Sequence, residues 1–292
     1  MATFGNKTFN TATYAAVRPS YPQKLYDIIL KYHEGPRNTC LDLGCGHGIV
    51  ARQFGNHFTK FLGTDPSEGM IKQARKLTTE AEYPNASFEV SYAHDDVPFA
   101  SGSLDMVTAA EASHWFDYPK VFRRLNNKVR KGGTLAWWGY KDHVFVDLPK
   151  STAIMDKYIY VQDKDRLGPY WPKGREILAD NMRAIKPPEA DWEDIQRIEY
   201  EPGTEGRGSG QGELLIGKSM KVGECKAYFR TWSSYHGWQE AHPDMKARNT
   251  GGTGDLIDQM FDEMAAEDEI MRDDEKEIEV EWGSALILAR KK

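Results

Sequence analysis

Hydrophobic and polar positions follow two alternating rhythms in the first half of the chain. Short apolar runs typical of buried strands are separated by segments whose apolar residues recur at helical spacing. The predicted strands span 38–43, 60–64, 87–92, 104–109 and 134–140, and the predicted helices span 49–58, 67–77 and 118–129. Strands that alternate with helices in this way indicate βαβ units and a parallel sheet.

The alternation of strand and helix patterns ends after Tyr140, and a segment rich in aromatic residues, prolines and charges continues to about residue 192. We expect this segment to be an insertion that covers a pocket. Beyond it the pattern predicts a strand at 195–200, one helix at 222–238, an acidic helix at 260–271 and a strand at 277–290 with a bulge at Gly283. The predicted parts of one composite domain are a core with an amino-terminal cover segment (1–140), a lid (141–192) and the remaining core strands with a helical cap (193–292).

Composition narrows the possible partners and the compartment. The 292 residues are 40% hydrophobic and 28% charged, and no apolar run approaches the length that crosses a bilayer. A net charge of -6 disfavours a general attraction to nucleic acid. The chain starts without the pattern of a secretory signal, and its three cysteines lack metal-site spacing. We therefore expect a cytoplasmic monomer or homodimer without a metal site, which acts on a small, anionic molecule and binds neither membrane nor nucleic acid.

The most informative stretch runs from Leu41 to Gly48, where a predicted strand enters three alternate glycines and then a helix. Glycines permit positive φ and close approach of a ligand, and a helix amino terminus presents free N–H groups. Such a turn alone would equally be a plain strand-to-helix connection. Asp65 favours a nucleotide-like ligand because it ends the next strand, where an acidic side chain can accept both ribose hydroxyls. A nicotinamide dinucleotide is the alternative ligand, but the sequence fingerprint of its binding site requires glycine or alanine at the position of Ile49.

Further motifs extend this pattern in order along residues 38–140. They are Asp42-x-Gly44-x-Gly46-x-Gly48, Asp65-Pro66-Ser67-Glu68-Gly69-Met70, Val97-Pro98-Phe99 with Ser103-Leu104-Asp105, and Lys131-Gly132-Gly133. In these motifs the chain resembles the class I S-adenosylmethionine-dependent methyltransferases. The resemblance implies a doubly wound, mostly parallel seven-stranded α/β sheet with an inserted lid and an antiparallel C-terminal strand. It also implies S-adenosylmethionine as cofactor, S-adenosylhomocysteine as product, and no metal.

The resemblance further assigns a cofactor site. It implies that Gly44 and Gly46 line the methionine portion of the cofactor. Asp65 would hold the ribose, Met70 would pack on the adenine, and one of the two acids at 95–96 would bind the adenine amino group. The full expected set is Tyr14, Arg18, Asp42, Gly44, Cys45, Gly46, Asp65, Pro66, Met70, Asp95, Asp96 and Glu111.

Motifs outside this core resemble the fungal trans-aconitate methyltransferase group. They are Tyr14-x-x-x-Arg18-Pro19-Ser20-Tyr21-Pro22, Glu111-Ala112-x-His114-Trp115-Phe116-Asp117, Leu167-Gly168-Pro169-Tyr170-Trp171 and Arg230-Thr231-Trp232-Ser233-x-Tyr235-His236-x-Trp238. The resemblance implies methylation of a carboxylate, as in trans-aconitate or a related di- or tricarboxylate, and places Tyr14 and Arg18 near the carboxylate end of the cofactor. Members of one fold group need not share a substrate, so a phenolic or other secondary metabolite is the alternative acceptor.

The expected chemistry limits what the acceptor site must contain. A sulfonium methyl is already activated, so transfer needs proximity, alignment and exclusion of water. A carboxylate acceptor is ionised at neutral pH, whereas a phenol would need a base such as His114. Arg175 and Arg230 are expected to grip a carboxylate through paired hydrogen bonds between aromatic walls. The expected acceptor residues are His114, Trp115, Tyr170, Trp171, Arg175, Arg230, Trp232 and Tyr235.

Simpler explanations remain open for several of these residues. His114 and Trp115 would equally form a packed pair at a helix start, and the helical spacing of 228–238 equally fits a core helix. Glu111 would equally cap the next helix or support the methionine ammonium, and Arg18 would equally be a solvated side chain. Two other functional classes also remain, a nicotinamide-dependent oxidoreductase and a non-catalytic methyltransferase-like binding protein.

Overall fold

The computed structural model describes Arg18 and residues 20–292, so the predicted cofactor residue Tyr14 lies outside the described residues. One sheet organises the described part of the chain. Its strands are β1 (Thr39–Leu43), β2 (Lys60–Asp65), β3 (Ala86–Val90), β4 (Leu104–Ala110), β5 (Val129–Phe145), β6 (Trp192–Glu201), β7 (Gln211–Gly212), β8 (Gly217–Lys221) and β9 (Glu277–Lys291). No helix among the described residues has both the length and the apolar character that spanning a membrane requires.

Helices cover both faces of this sheet. They are α1 (Gln23–Tyr32), α2 (Ile49–Phe54), α3 (Glu68–Leu77), α4 (Tyr118–Lys128), α5 (Pro149–Tyr160), α6 (Arg175–Ala179), α7 (Val222–Phe229), α8 (Ser233–Ala241) and α9 (Leu256–Glu267). Buried residues of α1, α2, α3, α5 and α7 to α9 share one hydrophobic core, and those of α4 and α6 share a second one. The amphipathic helices thus bury their apolar faces on opposite sides of the sheet.

The strand order confirms the expected doubly wound fold. It is β3-β2-β1-β4-β5-β9-β6-β7, with β8 paired to β9. Strands β1 to β5 are parallel, and β9 runs antiparallel between β5 and β6. The described sheet has nine strands rather than seven because the two-residue β7 and the short β8 extend the seven-stranded core. The order in which successive strands join the sheet reverses between β1 and β4. Ligands bind at such a switch point in open α/β sheets.

Strand β5 differs from its prediction in length and shape. It continues to Phe145, five residues past the predicted end at Tyr140. Tyr140 pairs with Ser284 and His143 pairs with Trp282. The two pairs are therefore three residues apart on β5 but only two residues apart on β9. The bulge predicted at Gly283 therefore lies on the partner strand, at residues 141–142. A bulge re-aims side chains, and this one lies at the carboxyl end of the parallel part of β5.

The helix predicted at 222–238 is wrong as a single element, because α7 and α8 are separated at residues 230–232. Thr231 donates its hydroxyl to the Tyr228 carbonyl at 2.6 Å, and Trp232 adopts an extended backbone with φ -72° and ψ 143°. A hydroxyl that bonds to a nearby carbonyl competes with the helical ladder. The acidic helix begins at Leu256, earlier than predicted, because Asp255 caps it. The proposed division into core, lid and cap segments remains a prediction.

Candidate active site

A large cavity of about 470 Å³ opens at the carboxyl edge of the parallel strands. It lies where β1, β2 and β4 end, which is the switch point of the sheet. Among its lining residues are eight that the sequence assigned to a cofactor: Arg18, Gly44, Cys45, Gly46, Asp65, Pro66, Met70 and Glu111. Its volume is in the range typical of small-molecule sites.

The glycine turn after β1 forms one wall of the large cavity. The backbone N–H groups of Gly44 and Cys45 both donate to the Thr64 carbonyl, at 2.7 and 2.9 Å, and fix the turn to β2. Gly44 has φ +69°, and a Cβ there would clash with Ala112. Gly46 has φ +52°, and a Cβ there would meet no atom within 4 Å. The backbone at Gly46 therefore faces open space that a ligand can approach closely.

Asp65 is oriented by the chain at the end of β2. One carboxylate oxygen accepts from Gly46 N at 3.0 Å and the other accepts from Ser67 N at 2.8 Å. Burial raises the pKa of Asp65, and these two N–H donors oppose the shift. A carboxylate oxygen can accept more than one hydrogen bond, so both oxygens retain capacity for hydroxyls of a ligand.

Three acids assigned to the cofactor do not line the large cavity. Asp42 is fully buried between β1 and β4, where the Thr108 hydroxyl donates to it at 2.7 Å, and burial raises its pKa to about 7. Asp95 accepts from Tyr92 N at 2.8 Å, and Asp96 pairs with Lys128 at 2.8 Å. These local partners hold both acids of the 95–96 pair away from the cavity. Its wall there consists of Tyr92, Ala93 and His94.

A small cavity of about 70 Å³ adjoins the large one. Its lining includes five residues assigned to the acceptor, which are His114, Trp115, Trp171, Arg175 and Trp232. The two cavities share Arg18, Glu111, Trp115 and Tyr140, which we call the shared wall. Ligands bound in the two cavities would therefore lie next to each other, and both would contact these four residues.

Glu111, one of the four residues of the shared wall, has a strained backbone conformation with φ +51°. Its N–H donates to the Trp138 carbonyl at 2.8 Å, and its carboxylate accepts from Tyr140 N at 2.7 Å. Burial raises the pKa of Glu111 to about 7, against the lowering effects of Tyr140 N–H and of the charges on Arg18 and Arg175. Glu111 is consequently poised to change its charge near neutral pH.

His114 is buried in a single helical turn, Ser113–Trp115, that follows β4. Burial lowers the pKa of His114 to about 3, and the charges of Arg175 and Arg18 act in the same direction. Within the described part of the chain, its Nδ1 has no hydrogen-bond partner. A neutral imidazole with so low a pKa is a weak base, so the site favours positioning over proton abstraction as its role.

Arg175 lines the small cavity but not the large one. It pairs with Asp142, and its guanidinium carbon lies 4.4 Å from the centroid of the Trp171 ring. Trp171 in turn contacts Trp232, with ring centroids 5.2 Å apart. A guanidinium that packs on an aromatic face is suited to hold a planar anion in a dry site.

Three residues assigned to the acceptor do not line either cavity. Arg230 donates to Asp255 at 2.7 Å and to Asp258 at 2.8 Å. The Tyr235 hydroxyl donates to Asp255 at 2.6 Å, and the Tyr170 hydroxyl donates to the Lys164 carbonyl at 3.0 Å. These acids and this carbonyl satisfy the polar atoms within the cap and the lid, so the structure does not bring the three residues to either cavity. Their role in acceptor binding stays a prediction.

Sequence reasoning missed several lining residues. The small cavity includes Tyr140, Lys141, Asp142 and Tyr228, and the large one includes His47. Lys141 and Asp142 directly follow the predicted strand 134–140, and residues at the carboxyl ends of parallel strands commonly line ligand sites. Their position after the strand could have predicted that they line a site. The hydrophobic pattern did not predict the bulge in β5 that orients them.

Comparisons with known proteins agree with this geometry. Residues 41–137 match the family model described as a methyltransferase domain. Saccharomyces cerevisiae CRG1, named a probable S-adenosylmethionine-dependent methyltransferase, is 29% identical over 98% of this chain and 97% of its own length. A solved structure from Anaeromyxobacter dehalogenans, provisionally assigned as a type II methyltransferase, has the same fold, with a TM-score of 0.68 and 23% identity over 94% of this chain and 97% of its own. These findings support a class I S-adenosylmethionine-dependent methyltransferase.

The chain is also similar to an O-methyltransferase whose name states its acceptor. A malonyl-[acyl-carrier protein] O-methyltransferase of Legionella pneumophila is 28% identical to it over 51% of this chain and 52% of its own length. The large cavity has two features that suit a nucleoside cofactor, namely the open backbone at Gly46 and the oriented carboxylate of Asp65. The roles of individual residues remain predictions.

Proposed function

We propose that this methyltransferase methylates a carboxylate oxygen of a small organic acid that binds in the small cavity. The observation that carries this proposal is the shared wall, because it brings the large cavity next to a small one that contains Arg175. Trans-aconitate and related di- and tricarboxylates are the candidate acceptors that the sequence resemblance adds. The similarity to an O-methyltransferase of a malonyl group points in the same direction.

In this proposal the large cavity holds the cofactor. Asp65 accepts the ribose hydroxyls, Met70 packs against the adenine, and the turn at Gly44 and Gly46 lies along the methionine portion. S-adenosylmethionine supplies, when bound, a sulfonium-activated methyl group that an acceptor oxygen takes in one displacement without a proton transfer. The shared wall then aligns the two ligands and excludes water between them.

The acceptor is held on the far side of the shared wall. Arg175 donates to the acid, and Trp171 and Trp232 cover the bound carboxylate. A carboxylate needs no base, so the low pKa of His114 does not impede this reaction. His114 instead contributes a neutral ring that shapes the cavity.

A hydroxyl acceptor is the second candidate, and one observation favours it. Glu111 has a pKa of about 7 and lines both cavities, so it could take a proton from a phenol at the shared wall. The two candidates differ in the product. A carboxylate yields an ester, and a phenol yields an ether.

Turnover of labelled S-adenosylmethionine with a panel of acceptors tests the proposal. The panel contains trans-aconitate, other di- and tricarboxylates, monocarboxylates of matched length, and phenols. We expect label in acids, in a form that mild alkali releases as methanol. Methylation of phenols alone, in an alkali-stable product, would overturn the carboxylate assignment and favour Glu111 as a base.

A further inference from the structure

An ion pair of opposite charges lies inside the small cavity. Arg175 and Asp142 contact each other there, and their side chains are only 14% and 8% exposed. The hydroxyl of Tyr160 also donates to Asp142. The cavity thus presents a fixed negative charge directly beside the cation that would bind the acceptor.

The position of Asp142 is a consequence of the irregular strand β5. Residues 141–142 form the bulge opposite Gly283, and they lie just past the end of the parallel pairing between β4 and β5. A Cβ at Gly283 would come within 2.7 Å of Lys141 Cγ, so the glycine leaves room for this bulge. Asp142 is held in the cavity by the backbone as well as by Arg175 and Tyr160.

The other charges of the small cavity define what it can accept. Lys141 pairs with Glu201 at 2.7 Å, and Arg18 donates to the Tyr140 hydroxyl at 3.1 Å. Glu111 adds a second acidic group on the shared wall. When Glu111 is protonated, three cations (Arg18, Lys141 and Arg175) face two ionised acids (Asp142 and Glu201). One bound carboxylate then completes the balance, whereas a second would add an excess negative charge.

We propose that Asp142 is a specificity-determining residue that admits only one ionised carboxylate of the acceptor to the small cavity. This inference rests on the proposed methylation of a carboxylate, and it narrows the candidate acceptors. It disfavours trans-aconitate and the other di- and tricarboxylates and favours acids whose remaining groups near the reacting end are uncharged. In a cavity of about 70 Å³, a second carboxylate on a short acid cannot move far from Asp142. Juxtaposed like charges in such a site are strongly unfavourable, while an amide or hydroxyl can donate to Asp142.

The test compares acids that differ in one charge only. Butanedioate and hexanedioate are each assayed beside their monoamides, with the wild-type protein and with Asp142→Asn. We expect the wild-type protein to favour each monoamide in kcat/KM by about tenfold or more. Asp142→Asn should raise kcat/KM for the diacids by about tenfold while it changes the monoamides less than about threefold.

Asp156→Asn is the matched control. Asp156 lies on α5 close enough for its charge to interact with that of Asp142, but it does not line either cavity. The Asp156→Asn variant loses one negative charge in the same region as Asp142→Asn does. We expect its ratio of monoamide to diacid turnover to match that of the wild-type protein. An equal change in both variants would attribute the effect to general electrostatics and would overturn the inference.

Calorimetry supplies a readout that does not depend on turnover. The same diacid and monoamide pairs are titrated into each protein saturated with S-adenosylhomocysteine. We expect Asp142→Asn to bind S-adenosylhomocysteine with the same affinity as the wild-type protein, which would show that the variant is folded. If Asp142→Asn does not fold, Asp142→Ser takes its place in the experiment. An unchanged diacid ratio in a folded variant, or a wild-type preference for diacids, would overturn the inference. Failure of every acid to bind or react would instead overturn the proposed function.

Discussion

Asp65 accepts two backbone N–H groups, so its carboxylate is already oriented when a ligand arrives. We expect Asp65→Ala to weaken S-adenosylhomocysteine binding by about 100-fold or more, because two hydrogen bonds to a charged group would be lost. Calorimetry measures the affinity. Asp27→Ala removes an exposed acid of α1 as the control and should change affinity less than about twofold. An equally small loss in Asp65→Ala would contradict the assigned ribose contact.

Glu111 links stability to pH because its pKa is raised to about 7 in the folded protein. An unfolded glutamate has a pKa near 4.3, so between these values the folded chain binds the extra proton. The free energy of unfolding therefore falls as pH rises through this window, and the stabilisation that comes from the protonated Glu111 is lost above pH 7. We expect wild type to lose about 2 kcal/mol more than Glu111→Gln between pH 5 and pH 8.

Urea denaturation of the ligand-free proteins at both pH values measures this difference. The glutamine retains an oxygen that can accept from Tyr140 N, so the contact survives while the charge change is removed. Glu240→Gln, at an exposed position, is the control and should follow the wild-type pH dependence. Parallel pH dependence in wild type and Glu111→Gln would show that Glu111 does not titrate in this range.

Residues set by local chain geometry were predictable, and those set by distant partners were not. The glycine turn and Asp65 are defined by one strand-to-helix connection each, so spacing alone placed them at the large cavity. The acids at 95–96 depend on Lys128 and on a loop amide, neither of which a motif reveals. Their partners hold them outside the cavity.

At the scale of elements, the sequence located the parallel strands well and misjudged elements whose ends depend on tertiary contacts. The first four strands of the core lie within a few residues of their predictions. Apolar runs mark the buried parallel strands β1, β2 and β4, whereas the edge strand β3 buries only Phe88. The pattern at 134–140 marks only the fully buried middle of β5. Its extension to Phe145 depends on pairing with β9, which lies more than 130 residues away.

The β5 bulge gives a prediction at this scale. We expect Gly283→Ala to lower the free energy of unfolding by about 1–2 kcal/mol, since the added methyl overlaps the Lys141 side chain. Urea denaturation measures the loss. The double variant Lys141→Ala/Gly283→Ala should recover most of it, because truncation of Lys141 makes room. A double variant as unstable as Gly283→Ala would place the strain elsewhere.

At the scale of the whole molecule, alternating strands and helices predicted the doubly wound sheet but not how the second half closes over it. The cap consists of α7, α8 and α9, and its aromatic residues join the same hydrophobic core as α1 and α2. Helical spacing could not show whether an arginine in this region faces the acceptor or an acid of another helix. Arg175 and Arg230 were equal candidates from the sequence, and the structure separates them.

Arg230 joins the corner between α7 and α8 to the start of α9 through Asp255 and Asp258, which are both buried. We expect Arg230→Ala to destabilise the protein by about 3–5 kcal/mol, because it leaves two buried carboxylates without their cation. The folded fraction should keep its KM for acids, whereas Arg175→Ala should raise that KM at least tenfold, since it removes the proposed carboxylate donor. Urea denaturation and steady-state kinetics at low temperature measure both quantities for each variant. If Arg230→Ala raised the acid KM more than Arg175→Ala did, the cap would have to open onto the acceptor, and the small cavity would not be the acceptor site.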